Sequence, residues 1–320
     1  MIYMEENEKK KLIILTGPTA VGKTALSIGL AKAVDGEIIS ADSIQVYKNM
    51  DIGSAKITEA EKEGVPHHLI DILPPTEAFN IVRFKELCEE AMENIYSRGK
   101  LPIITGGTGF YIQAVLNNIT FSEEEEDGYR AELEALGKEK GPEYLYDMLK
   151  EVDPASCDIL HKNNVRRVIR ALEYYRKTGE RISEANARER EKESAYNSAY
   201  FVLNMNRERL YERIEQRIDE MLSQGLVDEV RGLIEKYHVT ADMTSMQGLG
   251  YKEIYAYLNG DCTYEEAVYT LKRDTRHFAK RQLTWFRRER DVIWIDKDEL
   301  RSDDEVLRYM LNVLHDKNIM

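Results

Sequence analysis

Apolar residues in the first third of the chain occur in short runs, and several of these runs lead directly into polar loops. The runs that predict buried strands are residues 12–15, 37–40, 68–72 and 101–105. Between them, residues 25–34 and 82–98 place apolar side chains at the three- and four-residue spacing of helices. Because strands and helices alternate, the pattern predicts an α/β fold in which helices cover a parallel sheet.

The pattern changes in the middle of the chain, where a long charged stretch has helical periodicity. An apolar run at 200–205 then predicts a strand that returns to the sheet. We therefore predict a core formed by residues 1–122 and 199–320, with a helical insertion domain at 123–198. The later features predicted for the core are helices from residue 209, a turn at 248–250 and a last strand at 292–295.

The composition restricts the class of protein but does not identify it. The 320 residues are 42% hydrophobic and 32% charged, and no apolar run approaches the roughly 20 residues of a membrane span. The charged first residues lack the apolar core of a signal peptide. Three scattered cysteines, Cys88, Cys157 and Cys262, indicate neither a disulfide framework nor a zinc site. We expect a cytoplasmic protein that acts as a monomer, away from membranes.

The charges are unevenly distributed along this acidic chain, whose net charge is −13. Residues 161–181 contain seven Lys or Arg and two acidic residues, and residues 270–290 contain eight and two. Basic residues of the second stretch recur at three- and four-residue spacing and can share one helix face, with Phe278, Trp285 and Phe286 among them. Basic residues interleaved with aromatic rings suit a nucleic acid, although a solvated helix face is the alternative interpretation.

Residues 17–24, Gly-Pro-Thr-Ala-Val-Gly-Lys-Thr, match the phosphate-binding pattern G-x-x-x-x-G-K-[ST] between the first predicted strand and helix. Such a phosphate loop turns backbone N–H groups and a helix N-terminus toward one point, where it holds a polyphosphate. We expect Lys23 to pair with the phosphates and Thr24 to ligate Mg²⁺. The motif makes the predicted fold a P-loop NTPase-like parallel sheet with flanking helices, plus the helical insertion domain.

Two further polar loops follow predicted strands and are expected at the same rim of the sheet. Asp42 follows the second strand, where a carboxylate can act as a general base or hold Mg²⁺ through water; a capping role is the alternative. Residues 106–109, Gly-Gly-Thr-Gly, would let backbone and a hydroxyl approach a ligand closely; a simple glycine-rich turn is the alternative. A nucleotide hydrolase often has an Asp at this strand end, so this threonine loop disfavours a hydrolytic motor.

The ordered set of these segments closely resembles the tRNA dimethylallyltransferase family, also called tRNA isopentenyltransferases, from residue 12 to about residue 290. The phosphate loop alone is generic, whereas the whole set is highly specific. The segments that carry the resemblance are 17–24, 40–47, 50–56, 66–71, 106–111, 166–173, 250–253 and 275–285. The chain lacks the zinc finger that some eukaryotic members append, so we expect a bacterial-type member.

The resemblance implies transfer of a dimethylallyl group from dimethylallyl diphosphate to N6 of the adenine on the 3′ side of the tRNA anticodon. It implies Mg²⁺ as cofactor and the tRNA anticodon stem-loop as partner. Asp42 would accept the N6 proton, Thr108 would assist at the reacting centre, and Lys23 would stabilise the departing pyrophosphate. Arg217 would contact the diphosphate, with Arg213 as the alternative. The adenine would have to be flipped out of the loop.

The resemblance also implies two larger sets of binding residues. The diphosphate would contact Gly17, Thr19, Ala20, Val21, Gly22, Lys23 and Thr24, and Thr24 would also bind the metal. The tRNA would contact Asp42, Ser43, Ile44, Gln45, Arg130, Arg166, Arg167, Arg170, Gln247, Gly250, Tyr251, Lys252, Arg276, Lys280, Arg281, Gln282, Thr284, Trp285 and Arg287.

Two other classes of protein share part of this pattern. A small-molecule or nucleotide kinase would share the phosphate loop, the sheet and the Asp after the second strand, but it has no use for two basic stretches. A non-catalytic RNA-binding ATPase would explain the basic stretches, but not Asp42 and Thr108 at one rim.

Overall fold

The structure is a computed structural model that describes residues 9–119, 128–300 and 302–320. The chain divides into two compact units: unit 1 comprises Met1–Asn118 and Ser194–Met320, and unit 2 comprises Ile119–Glu193. The predicted boundary between residues 122 and 123 lies outside the described residues.

Unit 1 contains a parallel sheet whose strand order is β3-β2-β4-β1-β5-β6 among the described residues. The strands are β1 Lys11–Thr16, β2 Gly36–Ala41, β3 His67–His68, β4 Leu101–Gly106, β5 Asn197–Asn204 and β6 Val292–Asp296. The central strands are almost wholly buried, which explains their continuous apolar runs. The predicted α/β class with a parallel sheet is confirmed.

Helices of unit 1 pack against the sheet and make up most of the chain after β5. Their bounds are α1 Lys23–Ala33, α2 Glu59–Lys62, α3 Ile81–Ser97, α4 Gly109–Leu116, α10 Arg207–Ser223, α11 Leu226–Tyr237, α12 Tyr251–Leu258, α13 Tyr264–Phe286 and α14 Asp303–Asp316. A 3₁₀ turn at Thr244–Gln247 precedes α12. No described helix is long and apolar enough to cross a membrane.

Unit 2 is helical in its described part and has a hydrophobic cluster of its own. Its helices are α5 Tyr129–Lys140, α6 Pro142–Val152, α7 Pro154–Cys157, α8 Val165–Thr178 and α9 Ile182–Glu191. Leu133, Leu145, Leu149 and Val168 lie at the centre of that cluster. The buried carboxylate of Asp153 caps α7 and accepts a hydrogen bond from the Ser183 N–H, which ties α9 to α7.

The strand predicted at 68–72 is wrong beyond its first residue. Only His67 and His68 pair with β2. Leu69 and Asp71 have φ values of +61° and +56°, a left-handed conformation that ends an extended strand. The apolar run instead packs as an irregular segment, and the Ile72 N–H donates to the Val46 carbonyl.

Candidate active site

The phosphate loop joins β1 to α1 in a conformation that its glycines permit. Gly17 and Gly22 have φ values of +148° and +97°, and a Cβ on Gly17 would lie 2.6 Å from the Leu203 carbonyl oxygen. Gly22 is the N-cap of α1 and provides no side-chain cap. The first N–H groups of this helix are therefore free to bind an anion.

Lys23 holds the phosphate loop together from the inside. Its Nζ donates hydrogen bonds to the carbonyl oxygens of Gly17 and Pro18, at 2.9 and 2.8 Å. Burial and then the positive charge of Arg217 lower the pKa of Lys23, the carboxylate of Asp42 partly opposes them, and the resulting pKa is about 7. A negatively charged ligand in this place would offset the burial of Lys23 and the repulsion between Lys23 and Arg217.

A cavity of about 490 Å³ lies in unit 1 where β1, β2 and β4 end. The three loops predicted to share a rim all line it. The lining residues from these loops include Thr19, Ala20, Gly22, Lys23, Thr24, Asp42, Ser43, Gly107 and Thr108. Gly17 and Val21, which were also predicted to contact the diphosphate, are not among the lining residues. Val21 is buried, and Gly17 lies against Val21 and Leu203.

Asp42 and Thr108 both present oxygen atoms that their local structure leaves available. Asp42 Oδ1 accepts hydrogen bonds from the N–H groups of Ile44 and Gln45, at 2.8 and 3.3 Å, which leaves Oδ2 without a protein partner among the described residues. Thr108 is the N-cap of α4, but its hydroxyl makes no capping bond. Its N–H donates to the Ala41 carbonyl at 3.3 Å, so the ends of β2 and β4 hold these two residues close together.

Two arginines of α10 lie on different sides of the phosphate loop. Arg217 lines the main cavity, and burial, followed by the charge of Arg213, lowers its pKa. Arg213 Nε donates to the Ala20 carbonyl at 2.8 Å, and the residue lines a separate cavity of about 310 Å³ with Lys297. Arg217 is therefore placed to meet a ligand in the main cavity, whereas Arg213 braces the loop.

The residues predicted to contact RNA fall into three groups. Lining the main cavity with Asp42 and Ser43 are Ile44, Gln45, Gln247, Gly250, Lys252, Arg281 and Gln282. Elsewhere in unit 1 lie Tyr251, Arg276, Lys280, Thr284, Trp285 and Arg287. Unit 2 carries Arg130, Arg166, Arg167 and Arg170, all four of them exposed, and Arg130 forms ion pairs with Glu134 and Glu173.

Several of these side chains are engaged inside unit 1 rather than turned to solvent. Gln45 Nε2 donates to the Ser54 carbonyl at 3.2 Å. Tyr251 is fully buried, and its hydroxyl donates to Glu229. Gln282 is only 6% exposed. Gln45 and Gln282 thus form part of the cavity wall, and Tyr251 packs against Gly53 of that wall, which the sequence spacing did not indicate.

The basic surface of α13 is more clearly exposed. Lys280, Arg281, Thr284 and Arg287 are exposed, while Arg276 is partly buried and forms a 2.5 Å ion pair with Glu215. The exposed cations have the charge that an RNA backbone requires.

The donor set fits Mg²⁺ held partly by a ligand. No group of three or more His, Cys, Asp or Glu could hold a metal within residues 9–119, 128–300 and 302–320. Thr24 and Asp42 nevertheless place a hydroxyl and a carboxylate on one cavity. Mg²⁺ is commonly bound through one or two such oxygens together with substrate phosphates and waters.

A family model described as IPP transferase matches residues 45–289, about three quarters of the chain. The chain belongs to this family. A second model, described as isopentenyl transferase, matches residues 10–73. The tRNA dimethylallyltransferase of Lachnoclostridium phytofermentans is 58% identical over 310 residues, which cover 97% of this chain and 99% of that protein. The resemblance predicted from the motifs is confirmed.

Solved structures of IPP transferases share the fold. The tRNA isopentenylpyrophosphate transferase from Bacillus halodurans has a TM-score of 0.71 at 42% identity, covering 97% of this chain and 98% of its own. A tRNA isopentenylpyrophosphate transferase from Staphylococcus epidermidis has a TM-score of 0.71 at 41% identity, covering 96% and 100%. A eukaryotic dimethylallyltransferase, described as acting on tRNA, has a TM-score of 0.75 at 33% identity, covering 90% and 74%.

Sequence reasoning missed a carboxylate that shapes the site of this IPP transferase. Glu229 accepts hydrogen bonds from the N–H groups of Asp51, Ile52 and Gly53 and from the Tyr251 hydroxyl. It therefore fixes the segment 51–53, in which Gly53 lines the cavity together with the next two residues, Ser54 and Ala55. Because the contact joins residues more than 170 positions apart, helix periodicity gives no signal for it.

Proposed function

We propose that this protein transfers a dimethylallyl group from dimethylallyl diphosphate to N6 of the adenine on the 3′ side of the tRNA anticodon and releases pyrophosphate. One observation carries the proposal: in a member of the IPP transferase family, a phosphate loop, Asp42, Thr108 and Arg217 share a cavity. The printed names of its bacterial and eukaryotic relatives support the same activity.

The cavity suits a small prenyl diphosphate. Its volume of about 490 Å³ lies within the usual range for a ligand cleft. The phosphate loop and Arg217 would bind the diphosphate, and Ile38, Ile57 and Phe79 provide apolar lining for the dimethylallyl group. Thr24, with Asp42 on the same cavity, would hold Mg²⁺, and the metal would supply positive charge that favours departure of the pyrophosphate.

Group transfer in this cavity needs one bond to form and one to break. N6 of the adenine attacks C1 of the dimethylallyl group, and the C1–O bond breaks with its electron pair remaining on the pyrophosphate. The loop N–H groups, Lys23 and Arg217 stabilise the negative charge that develops there. Asp42 Oδ2 accepts the proton that N6 loses, and the Thr108 hydroxyl assists beside it.

The RNA contacts divide according to exposure. We assign phosphate binding to Lys280, Arg281 and Arg287, and we assign the exposed arginines of unit 2 to the anticodon stem. Gln45, Tyr251 and Gln282 support the cavity wall instead. Among the described residues, those that line the cavity all belong to unit 1, so one chain would suffice, and the protein would act in the cytoplasm on its tRNA substrate.

Incubation with tRNA, Mg²⁺ and radiolabelled dimethylallyl diphosphate tests this function. The label is expected in intact tRNA and is expected to be absent when the adenine 3′ of the anticodon is replaced by guanine. A parallel reaction with labelled ATP tests the kinase alternative. Phosphoryl transfer from ATP without prenyl transfer would refute the proposal.

A further inference from the structure

Helix α13 carries residues of opposite character at successive positions. Lys280 and Arg281 are exposed, whereas Gln282 is 6% exposed and reaches into unit 1. The same helix therefore carries two exposed cations, of which Arg281 also borders the cavity, and a buried amide that lines it. What that amide touches gives it a role other than RNA contact.

The Gln282 side chain joins two loops of the cavity. Its Oε1 accepts a hydrogen bond from the Thr19 N–H in the phosphate loop at 2.9 Å, and its Nε2 donates to the Gly107 carbonyl at 3.1 Å. The first loop holds the leaving group in the proposed reaction, and the second carries Thr108. A single amide thus fixes the spacing between these two parts of the site.

Two glycines of the threonine loop make room for this contact. A Cβ on Gly107 would lie under 3.0 Å from Gln282 Nε2, and a Cβ on Gly109 would lie equally close to the Trp285 ring. Gln282 and Trp285 are three residues apart and share a helix face. Helix α13 is therefore seated directly on the threonine loop at two points.

The contact requires both functions of an amide. Gln offers an acceptor and a donor in one planar group, while Glu at neutral pH only accepts and Met has no donor and only a weakly accepting sulfur. Because the bond to Thr19 orients a backbone N–H of the phosphate loop, movement of α13 changes the geometry that a diphosphate meets.

We propose that Gln282 is a positioning residue that couples RNA binding on α13 to diphosphate binding in the phosphate loop. The proposal rests on the function proposed above. RNA held by Lys280 and Arg281 restrains α13, and Gln282 passes that restraint to Thr19 and Gly107. Since coupling between two ligands is reciprocal, each ligand tightens the binding of the other.

The test compares pyrophosphate affinity with and without RNA. Calorimetry with inorganic pyrophosphate and Mg²⁺ is performed on the full chain, alone and saturated with an anticodon stem-loop RNA. For the wild type, we expect RNA to lower the pyrophosphate Kd by at least about fivefold, the lower end of typical coupling. In Gln282→Met, this ratio should fall to about one, whereas the affinity for RNA alone should stay within about twofold, because the exposed cations remain.

Further variants separate coupling from a loss of folding. Gln224→Met makes the same chemical change at an exposed position, the C-cap of α10, and should keep the wild-type ratio. Gly107→Ala leaves Gln282 in place but displaces its amide, so it should lose the ratio as Gln282→Met does. Gln282→Glu keeps the acceptor for the Thr19 N–H, so it should retain part of the wild-type ratio of pyrophosphate Kd values without and with RNA. Thermal melts by circular dichroism identify any variant that does not fold. If Gln282→Met is unfolded, the result for Gly107→Ala tests the coupling.

Two results would overturn the inference. One is a wild-type ratio of about one; the other is an unchanged ratio in folded Gln282→Met or Gly107→Ala. Either result, with normal prenyl transfer by the wild type, would leave the proposed function intact. Absence of prenyl transfer by the wild type would instead refute the function itself.

Discussion

The ammonium of Lys23 lies between opposing influences in the cavity. Burial and Arg217 lower its pKa to about 7, and Asp42 opposes them. A bound diphosphate would add negative charge and raise this pKa. With a pKa of about 7, Lys23 would lose its proton above pH 7 in the free protein and would hold it in the complex, so binding there would take up a proton.

We therefore predict that Lys23 makes pyrophosphate affinity fall as pH rises above 7, by at most about tenfold per pH unit, up to the raised pKa of the complex. Calorimetry at pH 8 in two buffers with different ionisation enthalpies measures the proton uptake. The Lys23→Met variant provides the control, because pyrophosphate's own protonation is common to both proteins. Equal uptake in the two proteins would contradict the prediction.

Asp42 allows the proposed general base to be tested apart from binding. Its Oδ1 holds a turn through the N–H groups of Ile44 and Gln45, and Asn can accept the same bonds without acting as a base. We predict that Asp42→Asn and Asp42→Ala lose at least about 100-fold in single-turnover rate, the usual scale for a general base. RNA affinity should stay close to that of the wild type, at least in Asp42→Asn.

Rapid-quench measurement with saturating tRNA gives the rate, and filter binding gives the RNA affinity. Asp35→Asn, at an exposed residue that pairs with Lys100, is the matched control. Undiminished turnover in Asp42→Asn would remove this carboxylate from the mechanism.

Among the elements, the buried strands were the most predictable from sequence. The predicted strand at 101–105 corresponds to β4, Leu101–Gly106, because a strand covered on both faces leaves an uninterrupted apolar run. The strand predicted at 68–72 failed because an apolar run does not report the left-handed φ of Leu69 and Asp71. Apolar composition indicates burial, but it does not determine backbone conformation.

The residues of the candidate site also differ in how far the sequence predicts them. The phosphate loop and Asp42 were predictable because short motifs fix their local chemistry and strand ends fix their position. Gln282 was placed correctly on α13, but spacing alone could not separate its buried amide from its exposed neighbours. Burial on a helix depends on what packs against it, here Gly107, more than 170 residues earlier in the chain.

Exposed and paired arginines of α13 should differ in their effect on RNA binding. Arg281 is exposed, whereas Arg276 is already neutralised by Glu215. We predict that Arg281→Gln weakens RNA binding and reduces the slope of log K against log salt by about one, and that Arg276→Gln has a smaller effect. Titrations between 50 and 200 mM salt, as rough limits, measure the slope.

Arg83→Gln is the control for this series, because Arg83 is an exposed residue of α3 that lies outside the cavity and the basic stretches. It should leave the slope unchanged. If Arg281→Gln keeps the wild-type slope, the exposed cations of α13 do not contact RNA phosphates, and the prediction is wrong.

At the scale of the whole molecule, the two units are built to be separable. Their hydrophobic clusters share no residue. The Ala195 N–H donates to the Leu116 carbonyl at 3.1 Å within unit 1, so the chain leaves and re-enters this unit at neighbouring points. Unit 2 can therefore be replaced by a short flexible linker without stretching the backbone of unit 1.

We predict that unit 1, with residues 119–193 replaced by a short Gly-Ser linker, folds cooperatively and binds pyrophosphate within about threefold of the full chain, because every residue lining the cavity is retained. Its RNA affinity should fall by at least about tenfold, since several phosphate contacts from Arg166, Arg167 and Arg170 are lost. Urea denaturation, calorimetry and filter binding measure the three properties. A triple Arg→Gln variant of the full chain at these positions is the matched control and should reproduce the loss of RNA affinity with pyrophosphate binding intact. Unchanged RNA affinity in both proteins would confine tRNA recognition to unit 1.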